Sequence, residues 1–393
     1  MQISIIDPSL FTLPYDRKLV EGLNHLGHST TLHGRKLEAH DPDAAGVDIE
    51  PSFYNIAGRP IVSRLPSVLR LGVKSVDHVW SMGQLLRMLR KHPPDIIHFQ
   101  WLPLPMADVT MLSAFRRIAP LVLTVHDTEQ SNGDSSSSLQ RLAMRRCQHS
   151  FDRLIVHTSQ GDARLNEQGL GARVAVLPHG LLADLPPARK PDTTDGILTF
   201  VLFGKIKPYK GADLLIQAFA RLPSHVQARA RVRIVGKPYF DIGPLHHLVD
   251  EHRLGGQVSI EPTFVPDAEV ANLFGPNTVA VFPYREIEAS GVLFLALAHG
   301  RPIVASRLGS FADLITDGVQ GHLTSPGDVL ALGNALAHLI TDRDFAVSCS
   351  NAALDAAASI SSWTDIARMT EAVYLDAQAA RRTARPELVA AMC

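Results

Sequence analysis

The chain has 393 residues, of which 46% are hydrophobic and 20% are charged, and its formal net charge at pH 7 is −1. This composition is typical of a folded globular protein and excludes an intrinsically disordered chain. The near-zero net charge argues against a general nucleic-acid binder. The length exceeds that of one typical core and favours two domains of about 190 residues each.

Cysteine usage and hydropathy bear on the compartment. The chain has three cysteines, with neither metal-ligand spacing nor an even disulfide framework, which favours a reducing cytoplasm. Met1 leads straight into a strand-like segment, so we expect no signal peptide. No apolar run approaches the ~20 residues that cross a bilayer. We therefore expect a cytoplasmic protein, with peripheral attachment to the inner face of the membrane as a further expectation.

The first half alternates strands and helices. Strands are predicted at residues 3–6, 30–33, 95–101, 121–127, 153–158 and 173–177, with helices at 17–26 and 139–149. Residues 35–60 are polar and rich in Pro and Gly, which predicts a long irregular segment. Residues 61–92 predict a helix in two pieces. Seven Lys and Arg residues and one acid, Asp77, lie between residues 59 and 91, a local balance of +6.

Two histidines mark the carboxyl ends of predicted parallel strands. His98 lies near the end of one strand and His126 at the end of the next. Ligands of open α/β sheets bind at that edge, although a structural role in holding a loop is the simpler interpretation of either histidine alone. A Ser- and Gly-rich segment at residues 128–140 then predicts a mobile loop or a lid. Residues 182–196, with three prolines and no apolar period, predict a linker.

The second half carries two groups suited to phosphate. Strand 198–203 is followed by Gly204-Lys205 and then by Lys210-Gly211 before an amphipathic helix. Two ammonium groups around a strand-to-helix loop can contact one diphosphate, although solvated loop lysines are the commoner outcome. Further strands are predicted at residues 231–235, 257–260, 278–282 and 302–305, and a last helix at 363–379 before a frayed end.

Residues 283–304 predict a second phosphate site at a helix start. The apolar helix that follows Ser290-Gly291-Val292 should be buried. Its first N–H groups lack intrahelical partners, and the helix dipole adds positive potential there. Ser290 can cap the helix, and Gly291 allows a ligand close to the backbone. An anion, most naturally phosphate, suits this position.

Together these motifs resemble family 4 of the retaining glycosyltransferases. The resemblance extends from about Tyr15 to Tyr374 and implies an α/β GT-B fold: two Rossmann-like doubly wound domains with an interdomain cleft. It implies an acceptor-side domain at residues 1–185, a donor-binding domain at 186–365, and a C-terminal helix at 366–393 that returns to the first domain before a frayed tail.

The resemblance also implies roles for individual residues. Gly204, Lys205 and Lys210 match the donor-diphosphate motif, and Gly309 matches a glycine loop near donor phosphate and sugar. His126 matches a histidine near the donor sugar. The predicted catalytic residues are His126, Glu288, Lys205 and Lys210, and the donor site also includes Gly204, Ser290, Gly291, Val292 and Gly309. The acceptor side is predicted around Tyr15, Asp16, His98 and Trp101.

The chain departs from the family pattern in its acidic signature. The family has two glutamates eight residues apart, one contacting the donor sugar and the other the ribose. Alignment on Gly300 puts Leu295 at the ribose position, so no ribose glutamate is expected. The same alignment puts Ile287 at the sugar position, whereas alignment on Gly291 puts Glu288 there. We take Glu288 as the sugar-side carboxylate, with Glu286 in reserve.

The leading hypothesis is a retaining glycosyltransferase that moves a sugar from a nucleotide-diphosphate sugar to a hydroxyl of a glycan, lipid-linked or small-molecule acceptor. No cofactor and no metal are predicted, because the donor is a substrate and its diphosphate is assigned to lysines and a helix start. The expected partners are the donor, the acceptor and an anionic membrane surface, without nucleic acid. The alternatives are a GT-B sugar epimerase or phosphorylase, and a non-catalytic nucleotide-sugar-binding subunit. Nucleotide, sugar, acceptor and oligomeric state are not predicted.

Overall fold

The computed structural model describes residues 1–38, 41, 47–128, 138–182 and 196–390. The described chain divides into two compact units. The first comprises residues 1–128, 138–180 and 361–390, and the second comprises the described residues between 181 and 360. Most of the predicted linker at 182–196 and of the Ser-rich segment at 128–140 lies outside the described residues.

The described part of the first unit has a seven-stranded parallel sheet, made of β1 (Gln2–Ile6), β2 (Ser29–Arg35), β3 (Ile49–Phe53), β4 (Ile96–Phe99), β5 (Leu121–Thr124), β6 (Arg153–Val156) and β7 (Val174–Val176). The strands lie in the order β3-β2-β1-β4-β5-β6-β7. The order reverses between β1 and β4. Loops that follow these two strands therefore border the crevice where doubly wound folds bind ligands.

Helices connect these strands, and their apolar faces bury the sheet. They are α1 (Leu13–His25), α2 (Pro60–Ser63), α3 (Ser67–Lys91), α4 (Pro105–Arg116), α5 (Ser138–His149) and α6 (Ser159–Glu167). β4 and β5 are buried along their whole length, as expected for central parallel strands covered on both faces. The C-terminal half of α3 contributes Met82, Leu85 and Leu89 to the core, whereas its N-terminal half is exposed.

The described part of the second unit has a six-stranded parallel sheet. Its strands are β8 (Leu198–Phe203), β9 (Ala230–Val235), β10 (Val258–Glu261), β11 (Thr278–Phe282), β12 (Ile303–Ser306) and β13 (Gly321–Thr324), in the order β10-β9-β8-β11-β12-β13. Here the order reverses between β8 and β11. The two motifs that the sequence assigns to phosphate follow these two strands, so the topology brings both to one crevice.

The helices of the second unit are α7 (Ala212–Ala220), α8 (Ser224–Gln227), α9 (Gly243–Glu251), α10 (Asp267–Leu273), α11 (Gly291–Ala298), α12 (Gly309–Leu314), α13 (Val329–Thr341) and α14 (Arg343–Ser359). The prediction that the apolar helix after Ser290 is buried is confirmed. α11 packs against α14, and Leu293, Ala296 and Leu297 are fully buried.

The last helix, α15 (Trp363–Ala390), belongs to the first unit and packs along α1. The close packing depends on Gly22, because a β-carbon there would lie 2.7 Å from the carbonyl oxygen of Trp363. The prediction that this helix ends at residue 379 is wrong, since the helix continues to Ala390. No helix in the described part of the chain is long and apolar enough to cross a membrane.

The sequence missed two strands at sheet edges. β3 falls within the segment predicted to be irregular, and its letters IEPSF include a proline and a glutamate. It pairs only with β2 and is largely exposed, so it lacks an apolar alternation. β13 has only four residues and opens at Gly321, whose positive φ of 144° resembles a turn signal. Helices α4, α6, α8, α9, α12, α13 and α14 were also not predicted.

Candidate functional site

Lys210 is the central cation of the second unit's crevice. It ends a short 3-10 turn, Pro208–Lys210, between β8 and α7, and its side chain is only 7% exposed. Nζ lies 3.5 Å from the carbonyl oxygen of Phe203 and 5.3 Å from the centre of the Tyr284 ring. No carboxylate partner for this ammonium exists among the described residues. A buried ammonium without a counter-charge is costly, so the site is suited to an anion.

The position of Lys210 in a strand-to-helix loop predicts a side chain exposed in the crevice, and the structure shows that this prediction is wrong. Burial, and then the nearby charge of Lys207, lower the pKa of Lys210 to about 8. The physical cause of the burial is Gly211, whose left-handed backbone (φ 68°) turns the chain into α7. A β-carbon at Gly211 would overlap the carbonyl oxygen of Pro283, so the loop is packed tightly against the end of β11.

Lys205 lies in a different environment from Lys210. It is exposed, and its Nζ lies 5.8 Å from the centre of the Tyr239 ring. Lys207 and Lys237 approach the same ring at 5.8 and 6.0 Å. The loops after β8 and β9 hold these residues together, since the N–H of Tyr239 donates to the carbonyl of Ile206. Three lysines thus surround one aromatic ring at the entrance to the β8 loop.

The start of α11 lies beside Lys210. Ser290 occupies the N-cap position, but its side chain makes no capping hydrogen bond, so the prediction of a serine cap is wrong. The N–H groups of Gly291 and Val292 have no acceptor among the described residues. A β-carbon at Gly204 would lie 2.8 Å from Nζ of Lys210 and 3.7 Å from Val292. The ammonium, the glycine and the open helix start therefore converge at one point.

The two candidate glutamates differ in exposure. Glu286 is exposed and lines a pocket of about 630 Å³ with Lys207 and Arg285, whereas Glu288 is 6% exposed. The carbonyl of Glu288 accepts a hydrogen bond from the N–H of Ser310 at 2.7 Å. A β-carbon at Gly309 would overlap that carbonyl oxygen, so the glycine permits α12 to meet the turn that carries Glu288.

In the first unit, His126 lies at the carboxyl end of β5. Its Nε2 donates to Oε1 of Gln100 at 2.9 Å, and its ring stacks on Trp101 with 5.3 Å between ring centres. Nε1 of Trp101 donates to Oγ1 of Thr12 at 3.1 Å. Gln100 and Trp101 follow β4, so these contacts join the loops after β1, β4 and β5.

Tyr15 is the hub of an aromatic cluster at the same sheet edge. Its ring contacts those of His126, His157, His179 and Trp363 at 5.0–5.3 Å between centres. Burial lowers the pKa of His157 to about 4 and, together with the neighbouring His157, that of His179 to about 3. Burial and the same imidazoles lower the pKa of His126 well below its usual range. The cluster is therefore a set of neutral imidazoles around a buried phenol.

Two predicted acceptor-side residues are fully buried and held by protein partners. His98 lies within hydrogen-bonding distance of Tyr374 at Nδ1 (2.7 Å) and of Thr124 at Nε2 (2.8 Å). Asp16 lies 3.4 Å from Oγ1 of Thr12, which also approaches Asp7. Burial, and the neighbouring Asp7, raise the pKa of Asp16 well above its usual range. Both residues position the crevice wall, and neither is exposed to solvent.

Sequence reasoning missed several residues of these groups. Tyr284 lies two residues after the predicted strand 278–282, between Pro283 and Arg285, and its apolar ring was not recognised as part of the site. His157 and His179 end β6 and β7 as His126 ends β5, and this repeated position at strand ends was the available signal. Lys207 and Lys237 were visible beside predicted strand ends. In the described part of the chain, no group of three or more His, Cys, Asp or Glu side chains is arranged to hold a metal ion.

Comparison with known proteins identifies the family. Residues 14–180 match the model of the glycosyl transferase 4-like domain, and residues 198–342 match that of the glycosyl transferases of group 1. A D-inositol 3-phosphate glycosyltransferase of Mycolicibacterium paratuberculosis is 31% identical over 380 residues, covering 87% of this chain and 82% of the relative. The chain belongs to the group 1 glycosyltransferases. This glycosyltransferase is also similar to glycogen synthase of Mycobacterium tuberculosis, with 27% identity over 76% of this chain and 73% of the relative.

Solved structures of low identity share the fold of this glycosyltransferase. Sucrose-phosphate synthase from Thermosynechococcus elongatus superimposes with a TM-score of 0.74 at 19% identity, over 97% of this chain and 100% of the other. HepE from Anabaena, solved in complex with UDP, gives a TM-score of 0.71 at 17% identity over 94% and 98% of the two chains. The predicted GT-B fold of two Rossmann-like units and the predicted enzyme class are confirmed.

Proposed function

We propose that the protein is a retaining glycosyltransferase that transfers a sugar from a nucleoside-diphosphate sugar to a hydroxyl group. The observation that carries the proposal is the buried, unpaired Lys210 ammonium beside the open start of α11. A diphosphate leaving group develops negative charge as the glycosidic bond breaks. Lys210 and the N–H groups of Gly291 and Val292 are suited to stabilise that charge in a site with little water.

The other site residues take the following proposed roles. Glu288, buried at the end of the β11 loop, would contact the transferred sugar, and His126 keeps the catalytic role in the first unit that the family resemblance implies. Lys205, at the Tyr239 cluster, would add positive charge near the diphosphate. In a retaining reaction the acceptor hydroxyl attacks the face from which the leaving group departs, and an oxygen of that diphosphate can accept its proton.

A uridine diphosphate sugar is the first donor to test. HepE from Anabaena was solved with UDP and with UDP-glucose, which supports this choice for a chain of the same fold. The proposed chemistry needs no metal ion, because the lysines and the helix start supply the positive charge. Activity should therefore persist in excess EDTA, and loss of activity that Mg²⁺ or Mn²⁺ restores would contradict this part of the proposal.

Substitution of Lys210 tests the donor site directly. Lys210→Met keeps the length of the side chain and removes the charge, so UDP binding should weaken and transfer should slow by ~100–1000-fold. Folding should be retained, because a buried charge without a partner is replaced by an apolar group. Lys91→Met, an exposed lysine at the end of α3, is the control. Transfer by Lys210→Met at near wild-type rates would remove Lys210 from the mechanism.

The retaining stereochemistry is tested by a separate experiment. NMR of the product should give the same anomeric configuration as in the donor, and an inverted product would reject the retaining mechanism while leaving the donor site intact.

We also propose that the exposed half of α3 attaches to an anionic membrane. Large apolar side chains protrude there, with Val68 80% and Val76 73% exposed, beside the exposed Arg64. Asp77, the one acid of the basic segment, is buried and leaves the surface charge positive. Basic residues near anionic lipid contribute ~1 kcal/mol each, and buried apolar side chains add to this.

Vesicle sedimentation tests the membrane proposal. The wild type should sediment with phosphatidylglycerol vesicles at low salt and less at about 0.5 M salt, where charges are screened. Val68→Asp/Val76→Asp should abolish sedimentation, whereas Leu330→Asp, at an exposed apolar position of the second unit, should not. A wild type that stays in solution would favour a water-soluble acceptor.

A further inference from the structure

A second pocket lies in the first unit, apart from the residues assigned to the donor. It has a volume of about 460 Å³ and is bordered by four structural elements. These are the loop after β1, the end of β2, the turn after β3 and one face of α3. The cations that line it are Arg35, Arg70 and Lys74, against one acid, Glu38.

The three cations differ in how far they are already neutralised. Arg35 forms a bidentate ion pair with Asp41, at 2.6 and 2.7 Å, and lies 3.8 Å from Glu38. Arg70 and Lys74 form no ion pair with a carboxylate among the described residues, although the charge of Glu38 partly offsets the lowering of the Lys74 pKa by burial and by Arg35. With both acids counted, the lining carries a net charge of +1, so the two unpaired cations on α3 remain available to an anionic ligand.

Tyr54 forms a fixed floor for the pocket. Its ring is 7% exposed, and Nζ of Lys74 lies 4.8 Å from the ring centre. The Tyr54 backbone is left-handed, with φ of 56°, which is rare for an aromatic residue and persists only where its surroundings hold it. Those surroundings include a buried row of hydrogen-bonded side chains, Asp108, His78 and Tyr54. Nε2 of His78 lies 2.7 Å from Asp108, and Nδ1 is 3.2 Å from the Tyr54 hydroxyl.

A buried carboxylate fixes the rest of the turn. Asp77 is 2% exposed, and its Oδ2 accepts the N–H groups of Ile56 and Ala57 at 2.9 and 2.7 Å. Residues 70, 74, 77 and 78 lie along one face of α3, because neighbours on a helix face are three or four residues apart. The same helix face therefore holds the turn and supplies the two cations, which makes the pocket a preorganised feature.

The pocket adjoins the loop between β1 and α1, whose other end is connected to His126 through contacts with Trp101. Nε of Arg35 donates to the carbonyl of Ser9 at 3.2 Å, and Trp101 bonds Thr12 at the other end of that loop. Trp101 in turn stacks on His126. A substrate anchored at the cations could extend along residues 9–12 toward the histidine.

We propose that this pocket binds a phosphate monoester carried by the acceptor, with Arg70 and Lys74 as its principal ligands. Arginine and lysine with hydrogen-bonding capacity directed at one cavity recognise phosphate through charge-assisted bonds. That the phosphate belongs to the acceptor rests on the proposed function, whereas the phosphate site itself does not depend on that function. A phosphorylated sugar alcohol and a phospholipid headgroup share this chemistry, and the experiment distinguishes them.

The test is a calorimetric titration with inorganic phosphate in saturating UDP, so that the donor site is filled. Arg70→Gln/Lys74→Gln should weaken phosphate binding by about 10-fold or more. The control Arg87→Gln/Arg90→Gln removes the same charge from exposed positions of the same helix outside the pocket and should leave affinity within about twofold. Glu38→Gln removes the one acid among the described residues that line the pocket and should tighten phosphate binding. Equal affinities for the pocket variant and the wild type, or equal losses in the pocket variant and the control, would overturn the proposal.

Two further arms identify the source of the phosphate and separate this inference from the proposed function. Tighter binding of inositol 3-phosphate than of inositol, lost in the pocket variant, supports a soluble phosphorylated acceptor. Sedimentation with phosphatidic acid vesicles, lost in the pocket variant and kept in the control, supports a lipid headgroup. Binding of phosphate here, without binding of UDP or a UDP-sugar, would support the phosphate site and contradict the proposed function. Binding of UDP or a UDP-sugar, without binding of phosphate at this pocket, would contradict only the phosphate site.

Discussion

A β-carbon at Gly204 would lie 2.8 Å from Nζ of Lys210. The glycine therefore provides the space in which the buried ammonium sits, and its φ of 110° disfavours any other residue. Gly204→Ala should displace Lys210 and cost ~1–3 kcal/mol of stability through backbone strain. UDP affinity by calorimetry and the melting temperature should both fall.

Gly256→Ala provides the control for this substitution. A β-carbon there meets no atom within 4 Å, so both measurements should stay near those of the wild type. Wild-type UDP affinity in Gly204→Ala would show that the position of the ammonium is not needed for donor binding.

Donor affinity should depend on pH through Lys210. Its pKa is lowered to about 8 in the free protein, first by burial and then by Lys207. The ammonium that attracts the diphosphate is fully present below that value and is lost as the pH rises through it. UDP affinity measured between pH 7 and 10 should therefore decline above about 8, approaching ~10-fold per unit if only the protonated form binds. Lys210→Met should bind weakly with a flat profile, and a wild-type profile that is also flat would contradict the assignment.

Gly291 and Gly309 should respond differently to alanine. At Gly291 a β-carbon would have its nearest neighbour at 3.6 Å, in Leu182, so the fold should tolerate the substitution. The new methyl group would occupy space above the open N–H groups of α11, so UDP affinity should fall. At Gly309, with φ of 42°, the β-carbon would overlap the carbonyl of Glu288. Gly309→Ala should therefore lower the melting temperature first. A Gly291→Ala protein that melts normally and binds UDP normally would exclude phosphate from that helix start.

The histidine cluster around Tyr15 should make the protein sensitive to acid. Burial and the neighbouring His157 lower the pKa of His179 to about 3, and burial lowers that of His157 to about 4. Burial also lowers the pKa of His98, which lies outside the cluster, to about 3. An unfolded chain titrates its histidines near 6.5. Between these values the unfolded state binds more protons, so stability is full above about 6.5 and declines as the pH falls toward 3. The Asp7 and Asp16 carboxyls, whose pKa values are raised mainly by burial, act in the opposite direction.

His157→Asn isolates one histidine of that cluster. The asparagine can still donate to the carbonyl of Leu177, as Nδ1 of His157 does at 3.1 Å, but it cannot titrate. Its melting temperature should fall less steeply between pH 6.5 and 4 than that of the wild type. Identical slopes would show that this imidazole does not contribute to the acid sensitivity.

Much of the fold was predictable because parallel strands buried on both faces are apolar along their length. β8, β11 and β12 are such segments, and each was located within one residue of its observed bounds. β3 was missed because an exposed edge strand is not required to be apolar.

The site was predictable only to the level of motifs. Gly204, Lys210 and Gly291 were found from their positions between a strand and a helix. The burial of Lys210 was not, since it depends on Gly211 packing against Pro283, which follows a strand about 70 residues later. The pocket whose floor is Tyr54 was equally hidden. Its supports, Asp77 and His78, appear in the sequence as polar residues in a basic helix, and only the structure shows that they are buried.

The packing of α15 on α1 has a consequence for how the chain is made. The described residues of the second unit all fall between residues 181 and 360, so this unit can complete its fold while the chain is still being synthesised, before the last helix has been added. The first unit begins earlier but cannot finish, because the side of α1 at Gly22 stays uncovered until Trp363 and the residues after it arrive. The unit that is synthesised first is therefore the unit that finishes folding last. A chain that lacks α15 would leave the Tyr15 cluster exposed to chaperones.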